Sequence, residues 1–312
     1  MSDASSGPPS RWLVLSVRPP DPESRDVLAD VMIGMGGRAV VEEEGRLVTH
    51  LPEPDEPTTA VEELVRTLRS AFGPGELDVE TGWQRQEEWA DVWRRGLAPR
   101  RITERIVVTP SWCQPRVEPG DLVIVVDPGM AFGTAEHAST RGCLRLLERA
   151  VRAGDRVADV GAGSGILSIA AALLGATDVL ALEGDPWAID AAEANIEANG
   201  AGGVARVAEV WADAETLPER LGPRDGIVAN IEHGVLRWLL PGFRGALTEG
   251  AWLVLGGVLD QEWEDMVRQA RDAGFALDKA DQDEEWRAGL FRRMDSSRVP
   301  GSGPWSGPSG DL

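Results

Sequence analysis

Apolar and polar positions alternate over residues 12–17, the two-residue period of a strand. Residues 21–35 switch to a helical period, with Asp21-Pro22 suited to the cap and first turn and Gly36-Gly37 to the end. Two short β-rich runs, 39–41 and 47–51, flank Glu44-Gly45 and predict a hairpin. A second amphipathic helix is predicted over 57–72, where Val61, Leu64, Val65 and Leu68 lie at helical spacing before Gly73-Pro74-Gly75 breaks the pattern. A short last strand is expected at 77–79. The order strand–helix–strand–strand–helix–strand is that of a ferredoxin-like α/β sandwich of about 70 residues, assigned to residues 11–82. That fold hosts unrelated activities and argues none by itself.

Residues 83–105 read as a connecting helix and loop, with Trp89 and Trp93 four apart on one helical face. Strands are expected at 106–109 and 122–126. From about Gly154 strands and helices alternate regularly. The strands fall at 157–160, 179–182, 204–210, 226–229 and 252–255, and the helices at 166–174, 186–199, 235–240 and 261–273. Two final runs, 275–277 and 288–291, are placed to pair antiparallel. Such alternation builds a doubly wound, mostly parallel sheet, and residues 106–293 form this second domain. The Gly-, Pro- and Ser-rich tail, 294–312, has almost no apolar content to bury and is predicted disordered.

Composition narrows the field. Of the 312 residues 42% are hydrophobic and 27% charged, which suits a globular chain and not a disordered or collagen-like one. The N-terminal ten residues lack the apolar core of a secretory signal. The longest apolar stretch, 166–176, is about half a membrane span, so a cytoplasmic protein is expected. The net charge of −21 counts against a broad electrostatic grip on nucleic acid. Cys113 and Cys143 stand 30 residues apart without partners at ligand spacing, so neither a disulfide framework nor a zinc site is indicated. Lys279 is the single lysine, which genomic codon bias explains more simply than adaptation to high salt.

The candidate chemistry gathers where strands of the alternating block end. Asp159-Val160-Gly161-Ala162-Gly163-Ser164-Gly165 joins a strand directly to a helix. Gly161 and Gly163 allow a tight turn and close backbone approach, and the helix start offers free N–H groups to an anionic ligand. A dinucleotide fold would need G-x-G-x-x-G, but its third glycine position is occupied by Ile166. The G-x-G-x-G form matches an S-adenosylmethionine loop. Glu183 ends the next strand, 22 residues after Gly161, and is placed to accept from two ribose hydroxyls. Asn230 ends the strand 226–229, where its amide would orient an amine beside the methyl group or cap the following helix. Upstream, residues 127–140 are rich in small and hydroxyl side chains and include Phe132. Thr140 begins the next helix, its hydroxyl available to ligand or cap. His137 is read as a structural hydrogen-bonding histidine rather than a base.

Together these elements resemble the ribosomal protein L11 methyltransferase family over about residues 11–293. The resemblance rests on the 127–140 segment before the loop, on the Asn230-Ile231 pair, and on the ferredoxin-like domain with its tryptophan-bearing connector. It extends to Val108-Thr109-Pro110-Ser111-Trp112 and to a late Glu285-Trp286 pair. It implies a Rossmann-like class I methyltransferase sheet, with S-adenosylmethionine held by Thr140, Gly161, Glu183 and Asn230. It also implies N-methylation of lysine and N-terminal amines on a large-subunit ribosomal protein captured by the N-terminal domain. The enzyme is expected to be a monomer without nucleic-acid or membrane partners. Departures from the family pattern fall at Ala135 and Glu136, at 232–236, and at Glu183, where the family usually carries Asp. The first two lie where substrate enters. An RNA methyltransferase, the same chemistry on another amine, and a non-catalytic binding module are the competing readings.

Overall fold

The computed structural model describes residues 11–21, 24–35, 40–43, 45–54, 57–72, 77–85, 97–127, 135 and 137–295. The chain divides into two compact units, Met1–Gly96 and Leu97–Leu312.

In the first unit, β1 (Arg11–Val17) lies between β3 (Arg46–Pro52) and β4 (Val79–Arg85), antiparallel to both, and β2 (Val40–Glu43) adds to the far edge of β3. The order β2-β3-β1-β4, with helices α1 (Arg25–Gly34) and α2 (Pro57–Phe72), is ferredoxin-like. Leu13, Leu15 and Val17 point to one face of β1, where they bury against Leu28 and Met32 of α1 and Leu68 of α2. Two expectations need correction. Helix α1 starts at Arg25 rather than at residue 21, and Asp21 precedes it, accepting from the N–H and hydroxyl of Ser24. The last strand is 79–85, not 77–79, which puts Trp83 in a strand rather than in the connecting helix. β4 is an edge strand whose residues 80–83 are exposed, so no alternation of apolar and polar positions announces it. Gly36-Gly37, 73–75, Trp89, Trp93 and the tail from 296 lie outside the described residues.

The second unit is built on a seven-stranded sheet of order β10-β9-β8-β11-β12-β14-β13. Its strands are β8 (Arg156–Val160), β9 (Asp178–Glu183), β10 (Ala205–Glu209), β11 (Arg224–Asn230), β12 (Leu247–Leu259), β13 (Phe275–Asp283) and β14 (Trp286–Arg293). The first five run parallel, and the terminal hairpin β13–β14 pairs antiparallel onto β12. Alternate residues feed two cores. Val157, Val179, Val228 and Val254 meet α3 (Ala138–Ala150), α4 (Ile166–Leu173) and α5 (Pro186–Ala198) on one face. Ala158, Leu180, Ile227 and Leu253 meet α7 (His233–Ala246) and α8 (Trp263–Asp272) on the other, with the short α6 (Leu217–Leu221). Burial on both faces explains the continuous apolar runs of the central strands. Helix α7 continues past residue 240, where Pro241-Gly242 reads as a stop. Burial of Phe243 and Ala246 holds the extra turns, and Gly242 lets the backbone approach the carbonyl of Ala214.

A separate three-stranded sheet carries β5 (Arg100–Arg101), β6 (Ile106–Thr109) and β7 (Leu122–Val125). β5 thus lies inside the stretch read from sequence as linker and loop, and belongs to the second unit. Two carboxamides, Asn195 of α5 and Asn199 at its C-cap, pair with the end of the free edge of β7. Asn199 Oδ1 accepts from Val125 N–H at 2.8 Å while its Nδ2 donates to Val125 C=O at 2.6 Å. Asn195 Oδ1 accepts from Asp127 N–H at 3.1 Å, and its Nδ2 donates to Ser164 C=O in the glycine loop at 2.9 Å. No helix among the described residues is long and apolar enough to cross a membrane.

Candidate cofactor and acceptor site

The sheet reverses direction of winding between β8 and β11, the place where ligands meet an open α/β sheet. A cavity of about 400 Å³ opens there, and Thr140, Gly161, Gly163, Glu183 and Asn230 all line it. Its volume lies within the range of roughly 300–1,000 Å³ common to small-molecule sites.

The loop after β8 is pinned from below. The N–H groups of Gly161 and Ala162 both donate to Leu182 C=O on β9, at 2.9 and 3.1 Å. Gly161 has φ +76°, and a Cβ there would stand 2.4 Å from Ile231 Cγ2, so only glycine fits both the turn and the packing against the β11 exit. Gly165, at φ +79°, starts α4 with no side-chain cap; a Cβ would press on the Ala192 backbone of α5 at 3.3 Å.

Glu183 organises the same loop from the tip of β9. One carboxylate oxygen accepts from Gly163 N–H at 2.8 Å. The other accepts from Gly184 and Asp185 N–H at 2.8 and 3.0 Å. The carboxylate therefore fastens the glycine loop to the start of α5 while facing the cavity. Asp159 lies beneath the loop, fully buried, and accepts from the Ser168 hydroxyl of α4 at 2.7 Å. Its other oxygen has no hydrogen-bond partner. Burial pushes its pKa up to about 7 despite the Ser168 bonds.

At the tip of β11, Asn230 Nδ2 donates to Thr140 Oγ1 at 3.2 Å. Asn230 Oδ1 is buried without a protein partner. Oδ1 lies toward Gly256 of β12, where a Cβ would stand 2.9 Å from it, while the residue as a whole lines the cavity. The helix caps lie elsewhere. Glu232 caps α7, accepting from Gly234 and Val235 N–H at 2.7 and 3.1 Å. His137 caps α3 through Ser139 N–H. Neither Asn230 nor Thr140 is thus explained as a cap. Glu232, one of the departures from the family pattern, caps the helix and also lines the cavity. Glu136 and residues 128–134 lie outside the described residues.

His137 has the structural role read from sequence. Its ring meets Trp286 edge-on at 4.6 Å and its Nδ1 bonds the Ser139 hydroxyl at 2.7 Å, while burial and then Arg141 hold its pKa below the usual value. Helix α3, which carries Thr140, is clamped to the C-terminal hairpin. Arg141 grips Asp283 through two bonds of 2.8 and 2.7 Å and Glu284 at 3.0 Å. Arg145 bonds Asp281 and, at 2.9 Å, Asp283. The hydrogen bond from Arg141 is the main reason the Asp283 carboxyl sits at about 2.

Sequence reasoning overlooked one wall of the cavity, formed by Val210, Trp211 and Ala212 just beyond β10. Trp211 is 79% exposed, and its indole covers Gly184, where a Cβ would come within 2.4 Å of the ring. The strand-end rule that located Glu183 and Asn230 points equally to the residues after β10, and would have found it.

A 3-2-1-4-5-7-6 sheet, in the order the strands leave the chain, with a G-x-G-x-G loop at the first tip and an acid at the second, defines a Rossmann-like class I S-adenosylmethionine-dependent methyltransferase. The residues present fit that cofactor: the glycine cradle, the Glu183 carboxylate and Asn230 converge on one cavity. Residues 26–294 match the sequence model of the family described as "Ribosomal protein L11 methyltransferase (PrmA)". The chain belongs to this family. It is 37% identical over 306 residues to the "Ribosomal protein L11 methyltransferase" of Pelotomaculum thermopropionicum, covering 89% of this chain and 97% of that one. The protein of the same name from Chloroflexus aurantiacus is 33% identical, covering 90% and 98%. Among solved structures, the ribosomal protein L11 methylase of Lactobacillus delbrueckii subsp. bulgaricus superposes with a TM-score of 0.57 at 29% identity, covering 63% of this chain and 99% of that one.

Proposed function

We propose that this enzyme methylates amines of ribosomal protein L11, at lysine side chains and the N-terminal α-amine, with acceptor and cofactor meeting at the tips of β8, β9 and β11. The observation that carries the reading is that Thr140, the glycine loop, Glu183 and Asn230, delivered by four different elements, line one cavity. When bound, S-adenosylmethionine supplies an electrophilic methyl carbon on a sulfonium. The protein supplies position, electrostatics and exclusion of water. Gly161 and Gly163 present backbone to the amino-acid end of the cofactor, and Glu183, already oriented by three N–H groups, accepts from the ribose hydroxyls. Thr140 holds the Asn230 amide at the cavity wall, where the side chain orients the incoming amine.

The amine must arrive neutral, although a free lysine has a pKa of about 10.4. Ile231, Val235 and Leu239 give the cavity an apolar side that disfavours the ammonium form, so proton loss to solvent precedes transfer without a dedicated base. The ferredoxin-like unit, residues 11–82 in the sequence reading, captures the ribosomal protein, and the enzyme works as a monomer in the cytoplasm.

The test is methylation of purified ribosomal protein L11 with labelled S-adenosylmethionine, read by mass spectrometry, with a small amine as a parallel acceptor. Label on L11 that disappears when the first unit is deleted supports the reading. Label on the small amine alone would replace it with the same chemistry on another acceptor. At saturating cofactor, Asn230→Ala should lower turnover far more than Thr140→Ala; equal turnover would remove the role assigned to Asn230.

A further inference from the structure

We propose that Trp211 is the stacking surface for the adenine base of S-adenosylmethionine, and that Gly184 serves to seat its indole. Trp211 is 79% exposed, the most exposed large apolar side chain among the described residues, yet it lines the ligand cavity. An indole left in water contributes little to folding, because apolar area stabilises only when it is covered. Its place is nonetheless built. Gly184 has no left-handed φ, so the backbone there does not ask for glycine. A Cβ at this position would stand 2.4, 2.6 and 2.8 Å from Cδ2, Cε2 and Cε3 of Trp211. Those atoms lie at the fused bond of the indole, so the Cβ would fall on the face of the ring and not at its edge. Glycine is what admits the indole against the tip of β9.

The order of the strand tips selects the base as the occupant. Along the rim from β11 to β10 come Asn230, then the glycine loop, then Glu183, and last Val210, Trp211 and Ala212. The reading above sets the reacting methyl group and the amino-acid end at the first two and the ribose at Glu183, and this inference rests on it. What remains of the cofactor is the base, joined to the ribose, and the next wall is the indole. The two tips are tied together: Val210 N–H donates to Glu183 C=O at 2.8 Å, and the Glu183 carboxylate accepts from Gly184 N–H at 2.8 Å. The indole therefore rests on a residue that the ribose acid itself holds. A purine and an indole are both flat π systems and gain by stacking. The acceptor amine arrives at Asn230, three strand positions away, so it does not compete for this wall.

Calorimetric titration of Trp211→Ala with S-adenosylhomocysteine is the test. The Kd should rise about tenfold, the size of a lost base–aromatic stack, while Trp211→Phe keeps most of the affinity. S-ribosylhomocysteine, which has the same amino acid and ribose without the base, should bind the parent and Trp211→Ala alike. Gly184→Ala should weaken S-adenosylhomocysteine binding in the parent and have no further effect in Trp211→Ala. An unchanged Kd for S-adenosylhomocysteine in Trp211→Ala would overturn the proposal. An equal loss for both ligands would overturn it too, by making the indole a prop for the Glu183 loop. Acrylamide quenching gives a second readout: S-adenosylhomocysteine should shield one exposed tryptophan in the parent and none in Trp211→Phe, and equal shielding in both would count against the stack. Glu183→Ala that binds S-ribosylhomocysteine as tightly as the parent would instead strike the ribose assignment on which the inference rests.

Discussion

Gly161→Ala places one methyl group where two demands meet. The backbone at this position has φ +76°, a conformation that costs an L-residue roughly 1–2 kcal/mol. The new Cβ would also stand 2.4 Å from Ile231 Cγ2, and relieving such overpacking costs typically about 1–3 kcal/mol. Together these predict a loss of about 2–5 kcal/mol, or a melting temperature lower by roughly 5–15 °C for a unit of this size. Because Ile231 lies between Asn230 and the cap of α7, relief by side-chain movement should also disturb the acceptor wall. The affinity for S-adenosylhomocysteine is then expected to fall with stability. Ile231→Ala removes Cγ2, so in the double variant the packing part should vanish and only the backbone part remain. Thermal denaturation of the four proteins, with calorimetric titration of the product, measures both. Gly161→Ala melting within about 1 °C of the parent, or additive effects in the cycle, would refute the reasoning.

The buried Asp159 carboxyl gives a pH dependence of definite sign. Its folded pKa, about 7, is above the 3.8 of an ordinary carboxyl, so the unfolded chain releases the proton first; stability falls from about pH 4 to pH 7 and levels off above. The full loss would approach about 4 kcal/mol, and Asp159→Asn should flatten this part of a denaturant-midpoint series against pH. Asp283 runs the other way: its depressed pKa means that the clamp stabilises above about pH 4 and weakens as pH falls towards 2. Arg141→Ala should cost roughly 2–3 kcal/mol at neutral pH, discounted for the part-exposed partner, and most of that difference should be gone near pH 2. Glu183→Asp should weaken cofactor binding in isothermal titration, since the shorter arm cannot keep both its loop bonds and its cavity-facing position; an unchanged Kd would contradict the role given to that methylene.

The sequence reading succeeded where a residue's type and its place at a strand end were jointly informative. The glycine loop, Glu183 and Asn230 were legible because tight turns demand glycine and because apolar runs mark where buried strands stop. Boundaries failed where a strand lies at an edge, as in β4, whose exposed residues carry no period, and where Pro241-Gly242 mimics a stop inside α7. Trp211 escaped notice because an exposed tryptophan just past a strand looks like any surface residue until the neighbouring tips are assembled. The clamp of Arg141 and Arg145 on Asp281 and Asp283 joins positions some 140 residues apart in the chain, and no local pattern announces such a partnership. Capping was the alternative open for Thr140 and Asn230, and it falls to His137 and Glu232 instead, whose side chains reach the free N–H groups of the two helices.

Asn195 of α5 and Asn199 at its C-cap have a consequence for solubility. A strand at the border of a sheet offers unpaired peptide groups that invite addition of a foreign strand, and proteins commonly guard such borders. On β7 the Asn199 carboxamide imitates a neighbouring peptide unit, giving and receiving a hydrogen bond with Val125, while Asn195 occupies the next amide. The end of the border is thereby covered from within the molecule, by side chains of a helix and its cap that cannot propagate the ladder further.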